Sequence, residues 1–300
     1  MAPNFPNRLL LLRPLDADPS IISSARNFAQ RRHSNSNEVH VIDRNAQRQP
    51  EFYDRKPIAR SLPLDAQFTF ESFAVSDENR LLHVTAIEAA MAPDLKSLPV
   101  VFTGGPGTGK THLLHAVGNH FLTHHQSARI FHTTASHFQS ELGRSLRRGN
   151  YRRFMAWLCA CDVFLLDEAH LLAGEGRPPE AALRVIETVS KSRLVVVTTR
   201  QSVGDPTNWH PGLLHHLPDY ADVLTLGRPG ESLRKAVLEK KAVLAGVDLP
   251  EAIAGQLARR AYRNLHLLTE DFAKLAPYLK CESEPITPEF VDALIPFPRP

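Results

Sequence analysis

The segment GGPGTGKT, from Gly104 to Thr111, has the spacing G-x-x-x-x-G-K-[ST]. Glycines at these intervals let successive backbone N–H groups close round phosphate oxygens, and the lysine and hydroxyl that follow suit a terminal phosphate and a hard divalent cation. The chemistry on offer is nucleoside triphosphate binding: Gly105, Gly107, Thr108 and Gly109 around the phosphates, Lys110 on the terminal ones and Thr111 on magnesium. Further along, VFLLDE (Val163 to Glu168) ends an apolar run in two carboxylates. Beside a phosphate loop, Asp167 would hold the magnesium ion through water and Glu168 would polarise the attacking water. Thr198 and Thr199 close another apolar run; they either sense the terminal phosphate or orient that water, or simply end a strand, and Thr199 is the catalytic candidate of the pair.

These groups need a scaffold that brings several strand ends to one edge. PVVFTG (Pro99 to Gly104), ARIFHTT (Ala128 to Thr134), DVFLLD (Asp162 to Asp167) and RLVVVTT (Arg193 to Thr199) are short, β-branched and bounded by turn residues, as strands buried on both faces are. The amphipathic stretches between them are long enough to cross over, which predicts an α/β unit with a parallel sheet. Its ligands belong at the carboxyl ends of the strands. After a further strand near Asp222 to Leu226 the pattern turns helical. Leu233, Val237, Leu238 and Leu244 form the apolar side of a helix over Glu231 to Ala245, and Pro250 and Pro288 fit first-turn positions. A small helical lid over 228–295 follows, behind a core over 66–227.

The whole chain of 300 residues, with 35 Lys/Arg against 32 Asp/Glu and 43% hydrophobic residues, has a globular profile, which excludes collagen, rods and full disorder. Residues 1–60 hold ten Lys/Arg against six Asp/Glu, leaving 25 against 26 for 61–300, so the basic excess lies at the front. That front is rich in Pro, Ser, Asn and Gln and has no period, which predicts a disordered basic arm over 1–65, either a nucleic-acid contact or a solvated leader. Cys159, Cys161 and Cys281 are few and lack metal-ligand spacing, which fits a reducing cytoplasm. No stretch reaches the roughly 18 apolar residues of a membrane helix. His120 and His124 are four apart on a helix but have no evident third partner, so a structural role outweighs a metal site.

GKTHLLHAVGN (Gly109 to Asn119), FTFESFAV (Phe68 to Val75) and PGESLRKAVLEKKA (Pro229 to Ala242) resemble, in order, the phosphate-loop helix, the entry box and the lid start of the DnaA-like AAA+ ATPases. The resemblance implies a P-loop NTPase fold, a five-stranded parallel sheet with a helical lid, binding ATP and Mg2+ between them. It implies that Val75 and Asn79 lie near the base, with Gly107, Gly109, Lys110 and Thr111 on the phosphates. The family carries a helix pair for single-stranded DNA before its acidic strand. The matching SELGRSLRRGNYRRF (Ser140 to Phe154) holds Arg144, Arg147, Arg148, Arg152 and Arg153. Phe138, Leu142 and Leu146 are expected to bury one face there, leaving the arginines to solvent. From charge alone this is a solvated face; the family position favours DNA binding.

The sequence departs from the family in three ways. The stretch matching its arginine-finger box, GLLHHLPDYADV (Gly212 to Val223), has no arginine. The lid's nucleotide-sensing arginine is matched by His266, in NLHLLTE (Asn264 to Glu270). No helix-turn-helix domain for duplex DNA is expected before Pro300. The resemblance implies an ATP-binding protein of replication initiation or its regulation, contacting single-stranded DNA or another initiator and turning ATP over slowly. A helicase loader, a regulatory ATPase and a nucleotide-binding interaction module without turnover are alternatives; the family-like helix, entry box and lid disfavour a metabolic kinase on the same loop. Self-assembly is in doubt without the finger.

Overall fold

A computed structural model describes residues 61–91, 99–125, 128–173, 179–190, 194–200, 222–260, 262, 264–281 and 286–296. The arm expected over 1–65 lies outside these except at its end. Residues 61–65 belong to the folded unit: the Leu62 N–H donates to His132 O at 2.8 Å and the His132 N–H donates to Ser61 Oγ at 3.0 Å. The expected boundary at 65/66 therefore falls a few residues late, because Ser61 to Asp65 is too short a segment to show a period of its own.

Strands β1 (Val100–Gly104), β2 (Ile130–Thr134), β3 (Val163–Asp167), β4 (Leu194–Arg200) and β5 (Asp222–Leu226) form one sheet in the order β2-β3-β4-β1-β5. Every pairing is parallel. Successive side chains leave a strand on opposite faces. Val101, Phe164, Leu166, Val195 and Val197 thus enter one core, and Val100, Phe102, Val163, Leu165, Leu194 and Val196 the other. This is why the strands read as unbroken apolar runs.

The second core is closed by α1 (Arg80–Met91), α2 (Lys110–His124) and the segment before them, through Leu82, Leu113, Leu114, Val117, Phe70 and Phe73. The first is closed by α3 (Ala135–Arg147), α4 (Tyr151–Cys159), a 3-10 turn (Ala169–Ala173) and α5 (Pro179–Ser190), through Phe138, Leu142, Phe154, Leu158, Leu172 and Ile186.

The lid comprises α6 (Glu231–Ala245), α7 (Glu251–Arg259), α8 (Leu265–Lys280) and α9 (Pro288–Leu294). It has its own core around Leu238, Ile253, Leu257, Leu268, Leu275 and Val291. Among the described residues no helix is long and apolar enough to cross a membrane.

Candidate functional site

β1 delivers the chain at Gly104, and α2 begins at Lys110, so the loop between them lies at the carboxyl edge of the central strand. Two glycines are required by their surroundings. Gly107 has φ 65°, and a Cβ there would stand 2.7 Å from Cβ of Asn264, the residue that caps α8. Gly109 has φ 103°, and its Cβ would stand 3.1 Å from Cε2 of Phe73. The loop is thus gripped by the lid on one side and by the entry segment on the other. The Leu265 N–H donates to Gly107 O at 2.9 Å, fastening the lid to the loop.

Lys110 Nζ lies on the loop's own backbone, donating to Gly105 O at 2.5 Å. Burial pulls its ammonium below the usual lysine value; Asp167 opposes this and Arg200 adds to it. A cation without a strong anionic partner, at the mouth of a glycine loop, is suited to receive phosphate.

Thr111 Oγ1 donates to Asp167 Oδ2 at 2.9 Å. These are the hard oxygen donors a magnesium ion takes, and a magnesium site usually draws its other ligands from phosphate and water. Among the described residues no three His, Cys, Asp or Glu side chains cluster as a metal cage. His120 and His124 stack on each other at 3.9 Å, and His124 Nδ1 lies 2.9 Å from His120 O, a structural arrangement.

Asp167 is buried, and its second oxygen is hydrogen-bonded by Thr198 Oγ1. The Glu168 N–H donates to both Asp167 Oδ1, at 2.8 Å, and Thr198 Oγ1, at 3.1 Å. Of the two threonines, it is therefore Thr198, not the expected Thr199, that touches the acidic pair. The register explains this: Leu166 faces Val197, so Asp167 falls beside Thr198, and Thr199 points the other way. Glu168 itself is exposed and has φ 57°, left-handed backbone that non-glycine residues rarely adopt.

The expected base contacts separate. Val75 is exposed on the entry segment, whereas Asn79 is buried and spends its amide locally. Asn79 Oδ1 accepts from the Ser76 N–H at 2.8 Å, and Nδ2 donates to Ala74 O at 2.9 Å. Asn79 shapes the turn that presents Val75. His266 is exposed and turned along its own helix, 3.0 Å from Glu270 Oε1. Residues 212–221 of the arginine-finger stretch lie outside the described residues.

In the arginine-rich pair, α3 buries Ala135, Phe138, Glu141, Leu142 and Ser145. Leu146, expected on that face, is 48% exposed. The apolar period was extended one turn too far; Glu141 takes an interior place because Arg144 pairs with it. Arg147, Arg148 and Arg152 are exposed and Arg153 is half-buried. Among the described residues no ion pair holds these four.

Two residues near the site went unread. Arg200 extends β4 one residue beyond the threonines, and a charge directly after a buried strand was the available signal. Glu78 accepts from the Gly230 N–H at 2.7 Å and so holds the start of α6; nothing in the sequence links positions so far apart.

Against known proteins, the family described as the bacterial DnaA ATPase domain matches residues 64–206. The chromosomal replication initiator protein DnaA of Geobacter metallireducens is 30% identical over 234 residues, 77% of this chain and 51% of that protein. Domain III of Thermotoga maritima DnaA superposes with a TM-score of 0.67 at 23% identity, covering 80% of this chain and 100% of that one. A replication initiator DnaA bound to AMPPCP and single-stranded DNA superposes at 0.59 with 22% identity, over 71% of this chain and 65% of that one. The chain spans about half the length of the curated relatives it matches. Phosphate loop, acidic pair, strand order and matched sequence agree: the chain carries an ATPase domain of the DnaA-like AAA+ family.

Proposed function

We propose that the chain binds ATP with magnesium between sheet and lid, hydrolyses it slowly, and uses its nucleotide state to control contact with single-stranded DNA or another initiator in cytoplasmic replication initiation. The observation that carries this reading is the continuous hydrogen-bond path from Thr111 through Asp167 and Thr198 to the backbone of Glu168, beside the glycine loop. The loop N–H groups and Lys110 bind the phosphates. Thr111 and Asp167 would hold a magnesium ion, which when bound would supply charge neutralisation on the phosphate oxygens. Glu168 takes the proton of the attacking water, and Thr198 fixes the backbone from which it acts. Turnover is slow because no arginine stands in 212–223, and an arginine finger is worth roughly 10³–10⁵ in rate.

Arg147, Arg148 and Arg152 support the DNA part: guanidinium groups on an open helix pair bind phosphates and stack on bases. The single-stranded DNA bound by the similar initiator structure agrees with it. The test is fluorescence anisotropy of a labelled single strand with ATP, ADP or no nucleotide. ATP-dependent binding, lost when Arg147 and Arg148 become alanine, is expected. No binding under any nucleotide would remove DNA from the mechanism and leave another initiator or a helicase as the partner, and binding indifferent to nucleotide would overturn the nucleotide control.

A second reading, an interaction module that binds ATP without turnover, is favoured by His266, which is turned onto Glu270. Equal phosphate release by the wild type and Glu168→Gln would select it.

A further inference from the structure

The carboxyl edge of β4 carries a cation that the site described so far does not use. In a strand, residues two apart leave on the same face. Thr198 leaves β4 toward Asp167, so Arg200 leaves on that same side, farther out. On the other flank Arg200 is in register with Gly104, the last residue of β1 before the phosphate loop. β3 ends at Asp167, beside Thr198, so nothing of that strand stands between Arg200 and the space above Glu168. Arg200 therefore rises from the gap between the loop and the acidic pair. It is exposed, and among the described residues it makes no ion pair. Its charge nevertheless reaches inward: after burial, it helps to pull both Lys110 and His170 below their usual values. This strand end stands beside the loop that would hold a terminal phosphate, on the face of the sheet that carries Asp167 and Thr198, and among the described residues no carboxylate pairs with its guanidinium.

We propose that Arg200 contacts the γ-phosphate from within the same chain and supplies in cis the guanidinium that residues 212–223 lack. This rests on the ATP reading above. In the step concerned, the water oxygen bonds to the γ-phosphorus as the bond from that phosphorus to the β–γ bridging oxygen breaks. The electron pair leaves with ADP, and the water's proton passes to the Glu168 carboxylate. Arg200 donates N–H groups to the γ-phosphoryl oxygens, where planar donors fit best. Because ADP has no γ-phosphate, Arg200 also makes the site prefer ATP, the task for which His266 is poorly turned. A cis arginine gives slow turnover, on the order of 10⁻² s⁻¹ in the G-protein α subunits that use one, far below a motor.

The experiment uses the full chain, fluorescent ATP and ADP analogues, and single-turnover hydrolysis of ATP, for the wild type, Arg200→Ala and Arg200→Lys. Arg200→Ala is expected to weaken the ATP analogue at least about 10-fold, leave the ADP analogue within about twofold and slow hydrolysis at least about 100-fold. Arg200→Lys keeps the charge without the fork and should recover part of the ATP preference. The wild-type rate per molecule should stay constant across protein concentrations. Retained ATP preference and rate in Arg200→Ala would overturn the proposal, as would a rate per molecule that climbs with concentration, which would assign the guanidinium to a neighbouring chain. A folded wild type that binds neither analogue would remove the ATP reading itself, and Arg200's role with it.

Discussion

Glu168 occupies left-handed backbone, which costs an L-residue about 1–2 kcal/mol, and the fold tolerates it because the Glu168 N–H is held by both Asp167 and Thr198. Strain retained beside a phosphate loop turns the chain sharply off β3 and leaves the carboxylate exposed above the sheet edge. The Thr198 hydroxyl is thus a positioning group. Replacing Thr198 by valine should slow hydrolysis about 10-fold while ATP affinity stays within about twofold; Thr199→Val, on the opposite face, should slow it much less. Equal rates in the two variants would contradict the register argument. Glu168→Gln should keep ATP bound and cut phosphate release at least about 100-fold. The loop and the DE pair were legible because their chemistry demands residue types at fixed spacing. The Thr198/Thr199 choice was not, since it depends on which neighbour strand sits at which register.

At the scale of elements, the entry segment is pinned to α2 and β2 by histidines, of which His115 must be neutral to accept its hydrogen bond. His115 Nδ1 accepts the Asp65 N–H at 2.8 Å, and its ring meets that of His132 at 4.6 Å. His112 Nε2 lies 2.9 Å from Thr69 O and its ring stacks on Phe68. Burial, then His132, pushes His115 down to about 4, and burial lowers His112 and His132 as well. A depressed histidine favours the fold when neutral, so its contribution is complete above the unfolded value near 6.5 and is lost as pH falls toward about 4. Between pH 7 and 5, His115 should account for about 1–2 kcal/mol of lost stability, read as a fall in the urea midpoint. His115→Gln should flatten that slope; an unchanged slope would contradict it. Glu78, at the start of α6, interacts with the positive end of a helix from another part of the chain. Glu78→Ala should cost about 1 kcal/mol in the same assay. The strands were readable from their unbroken β-branched apolar runs and the first lid helix from its period, although Leu244, expected on its apolar side, is exposed and Ala242 is buried there instead. The face of α3 was misread at Leu146 because a buried Glu141, paired with Arg144, breaks the apolar pattern that periodicity relies on.

Taken whole, the molecule joins a sheet and a lid through contacts that converge on the phosphate loop: Leu265 N–H on Gly107 O, Asn264 against Gly107, and Phe73 against Gly109. A ligand that fills the loop must therefore be felt by both parts. Gly107→Ala, which forces a Cβ against Asn264 at a positive φ, should loosen the lid and weaken ATP while the sheet stays folded, as hydrogen exchange of α8 against β3 would show. Such long-range convergence has no local sequence signature, and only the order of the motifs hinted at it. The central claim is that this loop binds ATP, and calorimetric titration of ATP with magnesium into the wild type and Lys110→Ala tests it most directly. Saturation at one site per chain, weakened at least about 100-fold in Lys110→Ala, is the expected result. Absence of binding by the folded wild type, or equal binding by both proteins, would contradict it.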